Sequence, residues 1–308
     1  MRVLVALGGN AMTGPDGSAD PGAQIEAVTR AASDIARLVA AGHEVVVTHG
    51  NGPQVGNLLV KNELAAAVVP PVPLDWCGAQ TQGTIGFILL NALDAALSST
   101  ARCAALVTRT LVDRHDPGFT APTKPIGRYL PQQEAALLVE HGQQWQDRGA
   151  KGWRRVVASP EPLEVLDAAA VTTLLGAGFV VVAAGGGGIP VVREPDGALR
   201  GVEAVIDKDL AAVVLARAVR ADVLVIATDV EQAVIGWGTT TQRPIGRTTP
   251  SELRELAAHG HFASGSMGPK VDAVARFVAG GGTLAVITTL EQIDEAVRGD
   301  VGTVVLPD

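Results

Sequence analysis

Apolar runs that never alternate with polar residues constrain this chain most. Short β-branched and aliphatic stretches occur at 3–7, 44–48, 104–108, 179–183, 223–227, 284–287 and 303–306. Continuous runs of this kind are the pattern of strands buried on both faces. Longer Ala/Leu-rich stretches separate them. The first, 24–40, places Ile25, Val28, Ala32, Ile35 and Val39 at helical spacing, so it is predicted as an amphipathic helix. Further helices are predicted over 54–69, 78–97, 167–175, 209–219, 251–258, 271–279 and 291–297. Strands alternating with helices predict an α/β fold, an open αβα sandwich with a mostly parallel central sheet.

Two stretches break this rhythm. Residues 109–155 carry Asp, His, Pro, Gly and charged side chains around a single helical piece, 132–141, and are expected to stand off the sheet. Residues 194–199, EPDGAL, form a turn signal of the Pro-Asp-Gly type and predict a hairpin.

Size and charge remove several function classes. A chain of 308 residues corresponds to one large or two ordinary domains. With 24 Lys+Arg against 32 Asp+Glu, a net charge of −8 and no basic run longer than Arg154-Arg155, non-specific nucleic-acid or anionic-membrane binding is not expected. The longest apolar stretch, 179–192, is interrupted by four glycines and a proline, and falls short of the roughly 20 residues a membrane span needs. Before the first glycines stands only VLVAL at 3–7, too short for a signal-peptide core, so a cytoplasmic protein is expected. Cys77 and Cys103 supply no disulfide framework and read as buried thiols.

The chemistry is expected at the glycines. Gly-rich turns at 7–10, 49–52, 183–188 and 263–268 sit where strands end and helices begin. Backbone amides and the helix dipole attract phosphate or carboxylate there, and glycine lets the anion come close. Ligands of open α/β sheets bind outside the carboxyl ends of the strands. No Walker A lysine follows these glycines and GGN at 8–10 does not complete G-x-G-x-x-G, so neither a P-loop nor a dinucleotide fold is supported.

Lysine usage sharpens the candidates. The chain has five lysines, Lys61, Lys124, Lys151, Lys208 and Lys270, against nineteen arginines. Lys208 opens a predicted helix between Asp207 and Asp209, and Lys270 starts another just after a glycine turn. Capping explains the aspartates. It does not explain an ammonium at the positive end of a helix dipole, unless a strongly anionic ligand binds there. Two lysines, backbone amides, a carboxylate and a metal ion suffice for phosphoryl transfer, which rests on positioning and charge neutralisation. Asp209 is the candidate carboxylate, and Asp229, just past the strand at 223–228, is placed to line a nucleotide cleft. Lys61, Lys124 and Lys151 read, on their local sequence alone, as surface or packing residues. His259 and His261 have no third ligand at suggestive spacing, so a metal site there is not expected. No G-x-S-x-G elbow supports a hydrolase.

These motifs resemble the amino-acid-kinase superfamily and, within it, the carbamate kinases. The resemblance spans nearly the whole chain. It rests on VALGGNA (5–11), VTHGNGPQVGNLL (47–59), PLDWCGAQTQGTIG (73–86), KPIG (124–127), WRRVVASPEP (153–162), AAGGGGIPV (183–191), GVEAVIDKDLA (201–211), ATDVEQAVIGWG (227–238) and SGSMGPKVDA (264–273). It implies an N-terminal lobe, 1–200, for carbamate or carbamoyl phosphate, a protruding lid subdomain at 115–152, and a C-terminal nucleotide lobe, 201–308. It further implies that Gly8, Gly9 and Asn10 cradle the transferred phosphoryl group and that Gly50 and Asn51 hold the carbamate end. Lys208 and Lys270 would neutralise the transition state, with Asp209 organising them. Lys124 would swing in from the lid, since VALGG at 5–9 lacks the lysine of many acyl kinases. Asp229, Gly265, Ser266, Met267 and Gly268 would meet ATP or ADP. Mg²⁺ would arrive with the nucleotide, with no dedicated protein metal site, and the family's homodimer and role in arginine fermentation are implied as well. The chain departs from the family pattern at Arg128-Tyr129 and at Ala158. Other readings are another acyl-phosphate-forming kinase, a relative working toward carbamoyl phosphate synthesis, or a nucleotide-binding regulator without catalysis. Lys208, Asp209 and Lys270 together argue against the last.

Overall fold

A computed structural model describes residues 1–9, 12–13, 20–140, 142–262 and 267–308. Among the described residues the central sheet has eight strands. From edge to edge it runs β15 (Arg247–Thr248), β17 (Thr303–Val305), β16 (Leu284–Thr289), β12 (Val223–Thr228), β1 (Arg2–Leu7), β2 (Glu44–His49), β9 (Phe179–Val182) and β3 (Arg102–Ala105), numbered in chain order. Neighbours are parallel except β16 and β17. The sheet is therefore mostly parallel, as its continuous apolar runs predict.

Strand parity sorts the core into two layers. Val3, Val5 and Leu7 point to one face, with Val45, Val47, Val180 and Val182. That face is covered by α1 (Pro21–Ala40), α3 (Leu74–Ala96) and α9 (Ile293–Val297). Leu4, Ala6, Val46 and Val181 point the other way, onto α5 (Ala168–Gly176), α6 (Lys208–Ala218), α7 (Pro250–Ala258) and α8 (Met267–Ala279). Leu4 and Val5 are both fully buried, each side chain contributing about 1.5–3 kcal/mol of burial free energy. A polar residue at either parity would lose that, which is why the runs do not alternate.

Among the described residues there are three smaller sheets. One joins β11 (Leu199–Gly201), β10 (Ile189–Arg193), β4 (Arg109–Val112) and β8 (Pro162–Val165). The hairpin expected at 194–199 is present as the antiparallel β10–β11 pair, closed by Glu194 N–H donating to Ala198 O at 2.8 Å. A second joins β5 (Lys124–Leu130), β7 (Trp153–Val157) and β6 (Gln144–Asp147), with α4 (Gln132–Glu140) packed on it through Leu130, Ala135 and Trp145. The third pairs β13 (Val234–Ile235) with β14 (Arg243–Pro244).

Two expectations shift. The run at 104–108 is a strand only from Arg102 to Ala105, because the backbone of Thr108 bonds to the Gln82 side chain and to Ile189 rather than to the sheet. The excursion predicted over 109–155 begins later, since Arg109–Val112 pairs with β10. Its three-stranded sheet extends to Val157. This sheet meets the body of the molecule beside α2 (Gly52–Ala65), where the backbone of Gly127 closes on Gly56 at the β5 irregularity. Ion pairs from Lys124 to Asp207, Arg128 to Glu63 and Arg155 to Glu203 span the same junction.

Candidate active site

The carboxyl ends of β12, β1, β2 and β9 lie side by side, and their turns are stitched together. Gly8 N–H donates to Ala227 O at 2.7 Å, Gly50 N–H to Leu7 O at 2.8 Å and Ala183 N–H to Val47 O at 2.9 Å. Glycine at position 50 is a steric requirement, because a Cβ there would lie 2.6 Å from Gly9 N. Asn51 caps α2 by position but makes no side-chain cap; its amide donates to Thr81 Oγ1 at 2.9 Å instead. Among the described residues no side chain caps the start of α2, and a helix start of this kind attracts an anion.

Facing these turns is α6. Asp207 accepts the N–H groups of Asp209 and Leu210 through Oδ1 and caps the helix. Its other oxygen accepts from Lys124 Nζ at 2.7 Å. Asp209, 3% exposed, accepts from Lys208 Nζ on Oδ1 at 2.5 Å and from Lys270 Nζ on Oδ2 at 3.3 Å. Burial pushes the Asp209 carboxyl up, but the two ammonium groups outweigh it and hold it below the usual carboxylate range. Burial pushes the Lys208 ammonium down; Asp209 opposes this, Lys270 adds to it, and it stays below the usual lysine range. A desolvated ammonium beside a second one gains from an anion that neutralises both.

These groups enclose an inner cavity of about 190 Å³, lined by Gly8, Gly9, Gly50, Asn51, Lys124, Asp207, Lys208, Asp209, Asp229 and Lys270 among others. Nine of the fourteen candidate residues line this cavity. Gly268 lines an adjoining outer cleft of about 1300 Å³, together with Arg128, Arg148 and Arg154. Met267 packs against the core on the α8 face. Asn10, Gly265 and Ser266 lie outside the described residues. Lys61 and Lys151 are exposed, as their sequence context suggests.

Asp207, a helix cap on its sequence alone, has a second role. It is the acceptor for Lys124, a partner 83 positions away that no local signal marks. Arg128 pairs with Glu63 on α2, and Tyr129 lies under the Arg154 guanidinium, 5.0 Å from ring centroid to Cζ. Ala158 is buried, and its carbonyl accepts from Val205 N–H.

Three lysines and three aspartates line the inner cavity, so their formal charges cancel. Both oxygens of Asp209 and of Asp207 are taken. Asp229 accepts from Thr228 Oγ1 through Oδ1, and its Oδ2 has no hydrogen-bond partner among the described residues. No cluster of three His, Cys, Asp or Glu able to hold a metal occurs among the described residues. This donor set fits a divalent cation held mainly by phosphate oxygens and water, with one carboxylate in reach.

His49 lies behind the site at the end of β2, 1% exposed. Burial, opposed by a hydrogen bond at Gly50 and aided by Lys208, lowers its pKa to about 4. Between pH 6.5 and 4 the unfolded chain protonates this group and the folded one does not, so stability falls as pH falls through that window. Between pH 7 and pH 5 the expected loss is about 2 kcal/mol. Denaturant unfolding at the two pH values, compared with His49→Gln, checks it: the variant should lose less.

A small cavity of lysines, glycine amides and one buried carboxylate, at the strand ends of an open α/β sheet, defines a class of phosphoryl-transfer enzymes without a P-loop. Residues 1–289 match the model of the amino acid kinase family. The chain is 43% identical to the carbamate kinase of Pyrococcus furiosus over 99% of both chains. It superposes on carbamate kinase from Giardia lamblia bound to AMP-PNP with a TM-score of 0.92, at 42% identity, over 100% of this chain and 98% of the other. This chain belongs to the amino acid kinase family, in its carbamate kinase branch.

The Giardia enzyme has also been captured thiocarbamoylated by disulfiram on a cysteine, at 41% identity, a TM-score of 0.90 and coverage of 100% and 99%. Here the two cysteines are poor targets. Cys77 is fully buried and burial pushes its thiol up. Burial, with Asp94 adding to it, pushes Cys103 up to about 12. The thiolate is the reacting form, so disulfiram at neutral pH should leave the native protein unmodified. Intact-protein mass spectrometry checks this, with the urea-unfolded chain as the positive control.

Proposed function

We propose that this chain catalyses ADP + carbamoyl phosphate ⇌ ATP + carbamate. The observation that carries the reading is the convergence of Lys124, Lys208 and Lys270 on one small cavity walled by the glycine turns at Gly8–Gly9 and Gly50–Asn51. In the ATP-forming direction a β-phosphate oxygen of ADP attacks phosphorus, the bond from phosphorus to the carbamate oxygen breaks, and carbamate leaves as an anion. No proton need move. The work left to the protein is alignment and charge neutralisation.

Gly8, Gly9 and Asn10 cradle the phosphoryl group. Gly50 and Asn51 receive the carbamoyl end, at the start of α2. Lys208 and Lys270 neutralise the equatorial oxygens, oriented by Asp209. Asp229, Gly265, Ser266, Met267 and Gly268 meet the nucleotide. Asp229 would hold Mg²⁺ brought in by the nucleotide, and the ion would supply the charge shielding that a cavity with no net formal charge lacks.

Residues 1–200 form the carbamoyl lobe and 201–308 the nucleotide lobe, with 115–152 as the lid. Lys124 comes from that lid and reaches the phosphoryl group by leaving Asp207. Lys124→Ala should therefore lower kcat by about tenfold or more, less than a fully buried donor would, with the KM for ADP nearly unchanged. Steady-state kinetics decide; a defect confined to ADP binding would contradict the lid role. The chain acts as a homodimer in the cytoplasm, within arginine catabolism. The exposed Trp76 and Phe87 on α3 support a self-associating face.

A coupled assay for ATP formation from carbamoyl phosphate, ADP and Mg²⁺ tests the reading. Turnover with acetylglutamate or aspartate as phosphate acceptors, and none with carbamoyl phosphate, would overturn it in favour of another acyl kinase.

A further inference from the structure

The segment 73–86 forms the N-cap and first half of α3, and none of its side chains lines the inner cavity. Two of its buried residues nevertheless reach the wall of that cavity. Gln82, 5% exposed, bonds only to backbone. Its amide donates to Gly185 O at 2.9 Å and to Thr108 O at 3.1 Å, and its carbonyl accepts from Thr108 N–H at 2.9 Å. Thr108 Oγ1 in turn accepts from Ala184 N–H at 2.7 Å. The adjacent Thr81 accepts from the side chain of Asn51.

The backbone held in this way is strained. Ala184 has φ 51°, in the left-handed region, and Gly186, Gly187 and Gly188 follow at 66°, 90° and 87°. Such conformations persist when their surroundings over-determine them. Within the turn Gly187 N–H donates to Ala184 O at 3.0 Å and Gly188 N–H to Gly185 O at 3.1 Å, so its shape depends on where Ala184 and Gly185 are held. Gly186 lines the inner cavity. It packs so closely on Asn51 that a Cβ would fall 2.1 Å from the Asn51 amide nitrogen.

We propose that Gln82 is a positioning residue: by clamping Thr108 and Gly185 it holds the turn 184–188, and so the Gly186–Asn51 wall, in the shape that receives the carbamoyl end of the substrate. This rests on the reading that the cavity takes carbamoyl phosphate. Without the amide, Thr108 N–H loses its acceptor, and Thr108 O and Gly185 O keep only the bonds from Ile189 N–H and Gly188 N–H.

Gln82→Met keeps the side-chain length and removes all three bonds. The KM for carbamoyl phosphate should rise about tenfold, with the KM for ADP unchanged, and amide exchange at Gly187 and Gly188 should quicken by about the same factor. Adding Ala184→Gly, which removes the strain at that residue, should recover part of the KM. Gln80→Met, at an exposed position of the same helix, should match the parent. If Gln82→Met does not fold, Gln82→Glu, which keeps the shape and the acceptor for Thr108 N–H, carries the test. Parent-like KM and exchange overturn the proposal, as does an equal rise in both KM values, the mark of a merely structural role. A parent inactive on carbamoyl phosphate overturns the functional reading instead, and the exchange rates still decide whether Gln82 holds the turn.

Discussion

Lys208→Ala is expected to lower kcat for ATP formation by about 10²–10³-fold, the cost of removing one preorganised charge donor. Lys208 stands on the first turn of α6, its side chain 12% exposed and bonded to Asp209. In the resting site that pair is already made, so the ammonium does little to bind ADP. Its gain comes when negative charge spreads over the transferring phosphoryl oxygens. The loss should therefore fall on kcat more than on the KM for ADP. Lys208→Arg should not restore activity, because a planar fork cannot reproduce a compact point charge in a cavity of about 190 Å³. Lys270→Ala should behave alike, since it holds the other oxygen of the same carboxylate. Activity of either alanine variant within tenfold of the parent would refute the assignment.

Asp209→Ala should have the largest effect on the fold as well as on turnover. Asp209 is the shared counter-ion of two side chains that are 12% and 13% exposed. Removing it leaves two neighbouring ammonium groups desolvated and unpaired. Breaking a buried pair in this way costs about 3–5 kcal/mol, visible as a lower midpoint in denaturant. The pH dependence has a definite sign. The folded-state pKa of Asp209 lies below its unfolded value of 3.8, so its contribution is complete above that pH and is lost as pH falls through the folded value. The variant should lack this acid-side loss. A midpoint equal to the parent's at neutral pH would show that the lysines do not need the carboxylate.

Legibility in the sequence divides along physical lines. The continuous apolar runs show burial on both faces because every residue of such a strand meets a helix, and that is a local property. Lys208 and Lys270 were visible because an ammonium at a helix start is electrostatically misplaced without an anion. Asp207 was not, because its capping role already accounts for it and its bond to Lys124 joins residues 83 positions apart. Gln82 was invisible for the same reason: an apolar helix face with one glutamine gives no hint that the amide reaches backbone 26 and 103 residues away.

By itself the sequence determined the layers, the places where chain direction reverses, and the residue types able to meet an anion. All three follow from periodicity and from glycine and charge placement over a few neighbouring residues. Only the tertiary structure decided that the turns after Leu7 and His49 and the run from Ala184 share one wall, and that three lysines face it through two aspartates. Those relations depend on which strands lie adjacent in the sheet, a long-range outcome that no local window of residues contains.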